Sequence, residues 1–149
     1  MRISVVLPTM NEAENVEQLC QRLYGLKQNY VGLMEAAFVL NNTTDGTDRV
    51  LKRISERPGY DFVRVARCEG ARGSAIRRGV EMAQGEIVVV MDSDGQYDPG
   101  EIPKLVSPIL DDGYLITTGR NHGWASLSRR IISEVYLSLI HISEPTRPY

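Results

Sequence analysis

The sequence predicts an α/β domain built on a mostly parallel sheet flanked by helices. Two observations carry that expectation. From Ile3 to Ile109, short apolar runs alternate with segments whose apolar residues recur at helical spacing. The run Ile87-Val-Val-Val-Met91 is apolar without alternation, as in a strand buried on both faces of a parallel sheet. With 149 residues, 42% of them hydrophobic, the chain is long enough for one domain with a substantial core. Crossovers between successive strands are expected to be right-handed.

The elements follow in order. Ile3 to Leu7 is a short buried strand, and Pro8-Thr-Met-Asn-Glu12 leads into a helix carrying Val16, Leu19, Cys20 and Leu23. Asn11 suits the N-cap of that helix with Glu14 three residues on, which leaves Glu12 free for a polar ligand. Glu35 to Leu40 is the second strand. Asn41-Asn-Thr-Thr-Asp-Gly-Thr47 is a polar turn with capping residues, and a helix through Val50, Leu51 and Ile54 follows. Tyr60 to Ala66 is the third strand. Glu69-Gly-Ala-Arg-Gly-Ser74 then opens a helix with Ala75, Ile76, Gly79, Val80 and Ala83. The glycines flanking Arg72 permit close backbone approach to a ligand, and the helix start just beyond favours an anion.

The fourth strand ends in Asp92-Ser-Asp-Gly-Gln96, which offers oxygen ligands at i, i+2 and i+4. Such donors on a tight loop suit a hard divalent cation, Mg or Mn, better than a soft metal. Asp98 has a structural use instead, because Asp98-Pro99-Gly100-Glu101 reads as an N-cap, a proline at the first helical position and an acid at the third. A helix through Ile102, Leu105, Val106 and Ile109 stops at Asp111-Asp-Gly113. Leu115 to Thr118 is expected as a fifth strand, Gly119 to Trp124 as a loop, and Leu127 to Tyr136 as the start of another helix.

Composition narrows the partners. The net charge of −2, with both signs interspersed, gives no general attraction to nucleic acid or to an anionic membrane. Cys20, on an apolar helix stripe, and Cys68, in a loop, are too few for a disulfide framework and are expected to be reduced. Met1-Arg2-Ile3 runs straight into a strand without a signal-peptide pattern, and no apolar run approaches the length of a bilayer span. Leu137-Ser-Leu-Ile-His-Ile-Ser-Glu-Pro-Thr-Arg147 resembles the translation of a transposase adapter used in sequencing libraries. Residues 137–149 are therefore expected to be a non-native tail, and residues 1–136 the N-terminal part of a longer domain truncated at its C-terminus.

Because each polar loop follows a strand, Glu12, Asn41, Arg72 and the Asp92/Asp94 pair should emerge on one edge of the sheet, where open α/β sheets bind ligands. Acidic metal ligands beside a basic phosphate candidate fit a nucleoside diphosphate with its metal.

With these stretches in view, the chain resembles family 2 glycosyltransferases of the GT-A (Rossmann-like) fold, and among them the dolichyl- and polyprenyl-phosphate sugar synthases. Val5 to Asn15 is similar to the family's opening, Thr44-Asp-Gly-Thr47 to its second loop, and Arg72 to Arg77 to the segment before its metal strand. Val90 to Pro99 is similar to its Asp-X-Asp region. Gly119-Arg120, Trp124 and Ser128 to Ser133 resemble the polyprenyl-phosphate branch. The resemblance implies that Pro8, Met10, Glu12, Val39 and Asn41 line a nucleoside pocket. It places Asp92 and Ser93 at the ribose and metal region, and Asp94 and Gln96 on the metal. Arg120 and one of Arg129 or Arg130 would face phosphates of donor or acceptor. Two departures stand out: Met10 where an aromatic is common, and Leu40-Asn41 where an Asp is usual.

The implied activity is inverting transfer of a sugar from a nucleotide-diphospho-sugar to a lipid phosphate, or alternatively to a glycan hydroxyl. The whole protein would work at the cytoplasmic face of a membrane through parts after Tyr136, and the chain by itself could bind the donor without turnover. A nicotinamide-binding domain is disfavoured, because Pro8-Thr-Met-Asn-Glu12 replaces the glycine fingerprint. A sugar nucleotidyltransferase would want a glycine-rich, basic first loop. His122 has no clear claim as a general base.

Overall fold

The computed structural model describes residues 2–30 and 32–119. Their elements are β1 (Ile3–Thr9), α1 (Val16–Asn29), β2 (Leu33–Asn41), α2 (Thr47–Ser55), β3 (Val63–Cys68), α3 (Arg72–Met82), β4 (Ile87–Val90), a 3-10 turn (Pro99–Glu101) and α4 (Ile102–Asp111). All four strands are parallel, in the order β3-β2-β1-β4. The strand order reverses beside β1, because the chain builds outward to β3 and then returns to place β4 on the other side. Ligands of open α/β sheets collect at such a reversal.

Alternation along the strands divides the core in two. Ile3, Val5 and Leu7 of β1 and Ala36, Phe38 and Leu40 of β2 join Val16, Leu19, Cys20 and Leu23 of α1 and Leu51 and Ile54 of α2 in one buried cluster. The other face, with Val6, Ala37 and Val39, packs against α3. Close approach there depends on Gly79, since a Cβ at that position would stand 2.2 Å from Val6 Cγ1 and 3.2 Å from Val39 Cγ2. Burial pushes the Cys20 thiol up to about 12, so it is an inert core residue.

Several expectations shift. Asn11 does not cap α1. It sits in the left-handed region at φ +56°, and the helix begins only at Val16, after Asn15. Cys68 is not in a loop but closes β3, paired in register with Asn41. Asp98 caps as expected, its Oδ1 accepting from Gly100 N at 3.0 Å, but Glu101 does not complete a capping box and bonds Lys104 instead. The strand expected at Leu115 to Thr118 is absent: Leu115 is 94% exposed and Ile116 81%. A strand exists only when its backbone finds a partner, and Thr117 instead donates its hydroxyl to Leu105 O at 2.6 Å. For the same reason β4 is an edge strand among the described residues, and Val90 is exposed rather than buried on both faces.

Candidate functional site

The carboxyl ends of β1, β2 and β4 carry most of the residues singled out by sequence. After β4 the chain makes one further pairing, Met91 N to Val6 O at 3.0 Å, and then turns away. Ser93 is buried and donates its hydroxyl to Pro8 O at 3.0 Å, tying the acidic loop to the loop after β1. Asp94 accepts from Gln96 N at 3.0 Å through Oδ1, a local turn that Gly95 completes at φ +76°. Asp92 forms an ion pair with Arg72, the first residue of α3. The Ser93–Pro8 and Arg72–Asp92 contacts join residues 85 and 20 positions apart in sequence, and the fold brings them to one edge.

Asn41 ends β2 almost completely buried, at 6% exposure, and its Oδ1 has no hydrogen-bond partner among the described residues. An orphaned buried acceptor is costly and marks a place where a ligand's N–H could bind. Met10 is 57% exposed on the same edge, open for contact with a flat ligand. The Val39 side chain is fully buried and faces α3, so its backbone is the part near the edge. Glu12 is more engaged than expected: its carboxylate accepts from Asn15 Nδ2 at 2.6 Å, and its backbone oxygen accepts from Asn15 N and Val16 N at 3.0 Å each. Arg120, Arg129, Arg130 and His122 lie outside the described residues.

The loops after β1 and β2 are braced against each other, which the sequence did not suggest. Asp45 Oδ2 accepts from Ala13 N at 2.9 Å, and Asp45 Oδ1 accepts from Thr47 N at 3.0 Å and from the Thr47 hydroxyl. Thr47 Oγ1 in turn accepts from Glu12 N at 3.0 Å, while Asn11 Oδ1 accepts from Thr44 N at 2.9 Å. The Thr47 hydroxyl and the Ala13 amide together hold the Asp45 carboxyl below its ordinary value. The only sequence signal was the polarity of Thr44-Asp-Gly-Thr47, which local turn and cap needs already explain.

At the amino edge of the sheet, Glu35 is buried. It accepts from Ser4 Oγ and Gln84 N at 2.6 Å each and from Arg64 at 3.2 Å. Burial alone would raise its carboxyl, but the bonds from Ser4 and Gln84 and the Arg64 guanidinium outweigh it and hold it low. This cluster fixes the turn between α3 and β4, and so where β4 delivers Asp92 and Asp94.

An open groove of about 600 Å³ runs beside the loops at the ends of β2 and β3, between Thr43, Asp48, Arg67 and Glu69. Neither Asp92 nor Asp94 lines it. Among the described residues no three His, Cys, Asp or Glu side chains gather into a metal cage. Two carboxylates two residues apart still suit Mg or Mn, which are commonly held by one or two carboxylates with substrate phosphates completing the shell.

Comparison with known proteins settles the family. The profile of Glycosyl transferase family 2 matches residues 4–144. The chain belongs to that family. Within family 2 it is 32% identical over 153 residues to a dolichol-phosphate mannosyltransferase of Pyrococcus furiosus, covering 97% of this chain and 42% of that protein. It is 30% identical over 140 residues to an undecaprenyl-phosphate 4-deoxy-4-formamido-L-arabinose transferase of Sodalis glossinidius, covering 93% of this chain and 43% of that one. The chain thus spans less than half the length of either relative. Among solved structures, it is similar to a glucosyl-3-phosphoglycerate synthase of Mycobacterium tuberculosis crystallised with Mn2+, UDP-glucose and phosphoglyceric acid. That likeness has a TM-score of 0.59 and 26% identity, covering 74% of this chain and 40% of that one. The fold of this family 2 chain is GT-A, as the sequence resemblance implied. Among the described residues no helix is long and apolar enough to cross a membrane.

Proposed function

We propose that this chain is part of an inverting glycosyltransferase that moves a sugar from a nucleotide-diphospho-sugar to a polyprenyl or dolichyl phosphate. The observation that carries the donor half is the convergence of Arg72, Asp92 and Asp94 on one sheet edge, a cation beside two carboxylates. The acceptor half is supported by the relatives, whose names specify dolichol phosphate and undecaprenyl phosphate.

Asp94, with Asp92, would hold a divalent cation whose chemistry is to neutralise the charge building on the leaving diphosphate. Arg72 would add a guanidinium on the same side, fixed at the start of α3 by Asp92. Pro8, Met10 and Asn41 would receive the nucleoside, the orphaned Asn41 Oδ1 accepting an N–H from its base. Asp92 and Ser93 would meet the ribose region, and Gln96 would support Asp94 from the same turn. Arg120 with Arg129 or Arg130 would face donor or acceptor phosphates. In the transfer, a phosphate oxygen of the acceptor bonds the anomeric carbon from the face opposite the diphosphate. The old carbon–oxygen bond breaks, and its electron pair leaves with the nucleoside diphosphate, inverting the centre. An acceptor that is already an anion needs no general base. A lipid acceptor would bring the whole protein to the cytoplasmic face of a membrane.

The test titrates the chain with UDP and GDP in Mn2+ and in EDTA, and, with the whole protein that contains it, follows labelled sugar from UDP- and GDP-sugars onto polyprenyl phosphate in detergent and onto soluble saccharides. Metal-dependent nucleotide binding with label in the lipid phosphate is expected. Label in the saccharide alone overturns the acceptor assignment. Binding with no transfer supports a nucleotide-sugar-binding module instead, and no binding removes the donor assignment.

A further inference from the structure

We infer that Asp45 and Thr47 are positioning residues for donor binding: a clasp from the β2–α2 loop that sets the backbone of the β1–α1 loop. The inference rests on the proposal that Met10 to Glu12 faces the donor nucleoside.

The geometry goes beyond an ordinary helix cap. The Asx turn that leads into α2, whose N-cap is Gly46, needs one carboxylate oxygen, and Asp45 Oδ1 does that work by accepting from Thr47 N at 3.0 Å. The second oxygen is spent on another loop, accepting from Ala13 N at 2.9 Å across thirty-two residues of sequence. The neighbouring donor, Glu12 N, is taken at 3.0 Å by the Thr47 hydroxyl, which is fully buried and itself donates to Asp45. Two consecutive amides of one loop are therefore held by two residues of the other.

The clasped loop has reason to need outside support. Asn11 stands at φ +56°, a region that residues with a Cβ rarely enter, and its side-chain Oδ1 accepts from Thr44 N at 2.9 Å. The loop thus turns at a left-handed residue, and bonds from the β2–α2 loop hold it there. Met10, just before, is 57% exposed at the ligand edge, so a shift of the loop moves a contact surface rather than the core. The acidic loop after β4 is attached separately, through Ser93 to Pro8 O, and the clasp does not touch Asp92 or Asp94.

Chemistry selects the variants. Asp45→Asn keeps one acceptor oxygen but presents an N–H where the other must accept, so it retains the turn into α2 at the expense of the cross-loop bond. Thr47→Val keeps the buried shape and removes the hydroxyl. Thr47→Ser keeps the hydroxyl and removes a buried methyl. The chain and these variants are titrated with UDP and GDP in Mn2+ and in EDTA, with melting temperature measured in parallel and hydrogen exchange followed at Glu12 and Ala13. Asp45→Asn and Thr47→Val should each bind the nucleotide that the parent chain binds about three- to tenfold more weakly, the scale of one or two lost hydrogen bonds. Thr47→Ser should bind like the parent whatever its melting temperature. The ratio of affinities in Mn2+ and EDTA should not change, since the carboxylates of the acidic loop are untouched. Affinity that merely follows melting temperature, with Thr47→Ser as weak as Thr47→Val, overturns the inference in favour of plain stability. A parent chain that binds neither nucleotide removes the function proposal. Exchange then still decides the clasp, which is refuted if Glu12 and Ala13 exchange no faster in Asp45→Asn.

Discussion

Arg72 opens α3 and pairs with Asp92 just past the end of β4, so the start of a helix on one face of the sheet is tied to the acidic loop at its edge. Both side chains remain substantially exposed, at 62% and 35%. An exposed pair contributes at most about 1 kcal/mol to stability, so the fold gains little from it and both charges stay open to a ligand.

Arg72→Ala should therefore lower stability by less than about 1 kcal/mol and weaken UDP or GDP binding in Mn2+ by about ten- to thirtyfold, the scale of a charge-assisted phosphate contact. Calorimetric titration beside urea denaturation separates the two. A variant that binds like the parent would place the donor phosphates elsewhere.

Asp94 and Asp98 are four residues apart and should behave differently. Asp94→Asn can still accept from Gln96 N, so the turn survives while the charge that holds a cation is lost. Nucleotide binding should then no longer differ between Mn2+ and EDTA. Asp98→Ala removes the acceptor for Gly100 N and should cost about 1 kcal/mol of stability with nucleotide affinity unchanged. Equal loss of binding in both variants contradicts this division.

The parts of the fold legible in the sequence were those decided locally. Four apolar runs became β1 to β4, and the apolar spacing of α1 named its four buried residues, because burial on one face imposes the period of the element. The one-edge placement of Arg72 and Asp92 was legible too, since every loop after a parallel strand emerges on the same side. What depends on a distant partner was not. Leu115 to Thr118 has strand-forming residues and no strand, and Val90 lies in an apolar run yet is exposed, because pairing and coverage are properties of the neighbour. Asn11 looked like a cap by residue type, but its left-handed backbone serves the β2–α2 loop. Asp45 looked like a turn residue, and nothing local showed that its second oxygen crosses to Ala13.

Glu35 makes stability depend on pH in a known direction. Its folded pKa lies below the ordinary value of 4.5, because the bonds from Ser4, Gln84 and Arg64 outweigh the cost of burial. The stabilisation is therefore complete above the ordinary value and disappears as pH falls through the lower folded value. Glu35→Gln keeps an acceptor for Ser4 and Gln84 but turns an amide toward Arg64, and should cost about 1 to 3 kcal/mol at pH 7. Urea denaturation from pH 7 to pH 3 should show the gap between parent and variant closing on the acid side. A constant gap would mean that the carboxylate charge plays no part.

Gly25 and Gly79 test how α3 lies on the sheet. Both sit inside helices, where replacing glycine with alanine stabilises by about 0.5 to 1 kcal/mol if there is room. At Gly25 there is room, with no atom within 4 Å of an added Cβ, so Gly25→Ala should raise the urea midpoint. At Gly79 the same atom would stand 2.2 Å from Val6 Cγ1 and 3.2 Å from Val39 Cγ2. Both valines are fully buried and β-branched, so neither can swing away by changing one torsion. The helix must lift from β1 and β2, which should cost about 1 to 3 kcal/mol, more than the helix propensity returns. The cycle is completed by Val6→Ala, which alone leaves a small cavity but beside Gly79→Ala vacates the space the new methyl needs. The double variant should be more stable than the sum of the two single losses by at least about 0.5 kcal/mol. Additivity within error, or a Gly79→Ala chain as stable as Gly25→Ala, would mean that α3 does not rest on Val6 at this distance.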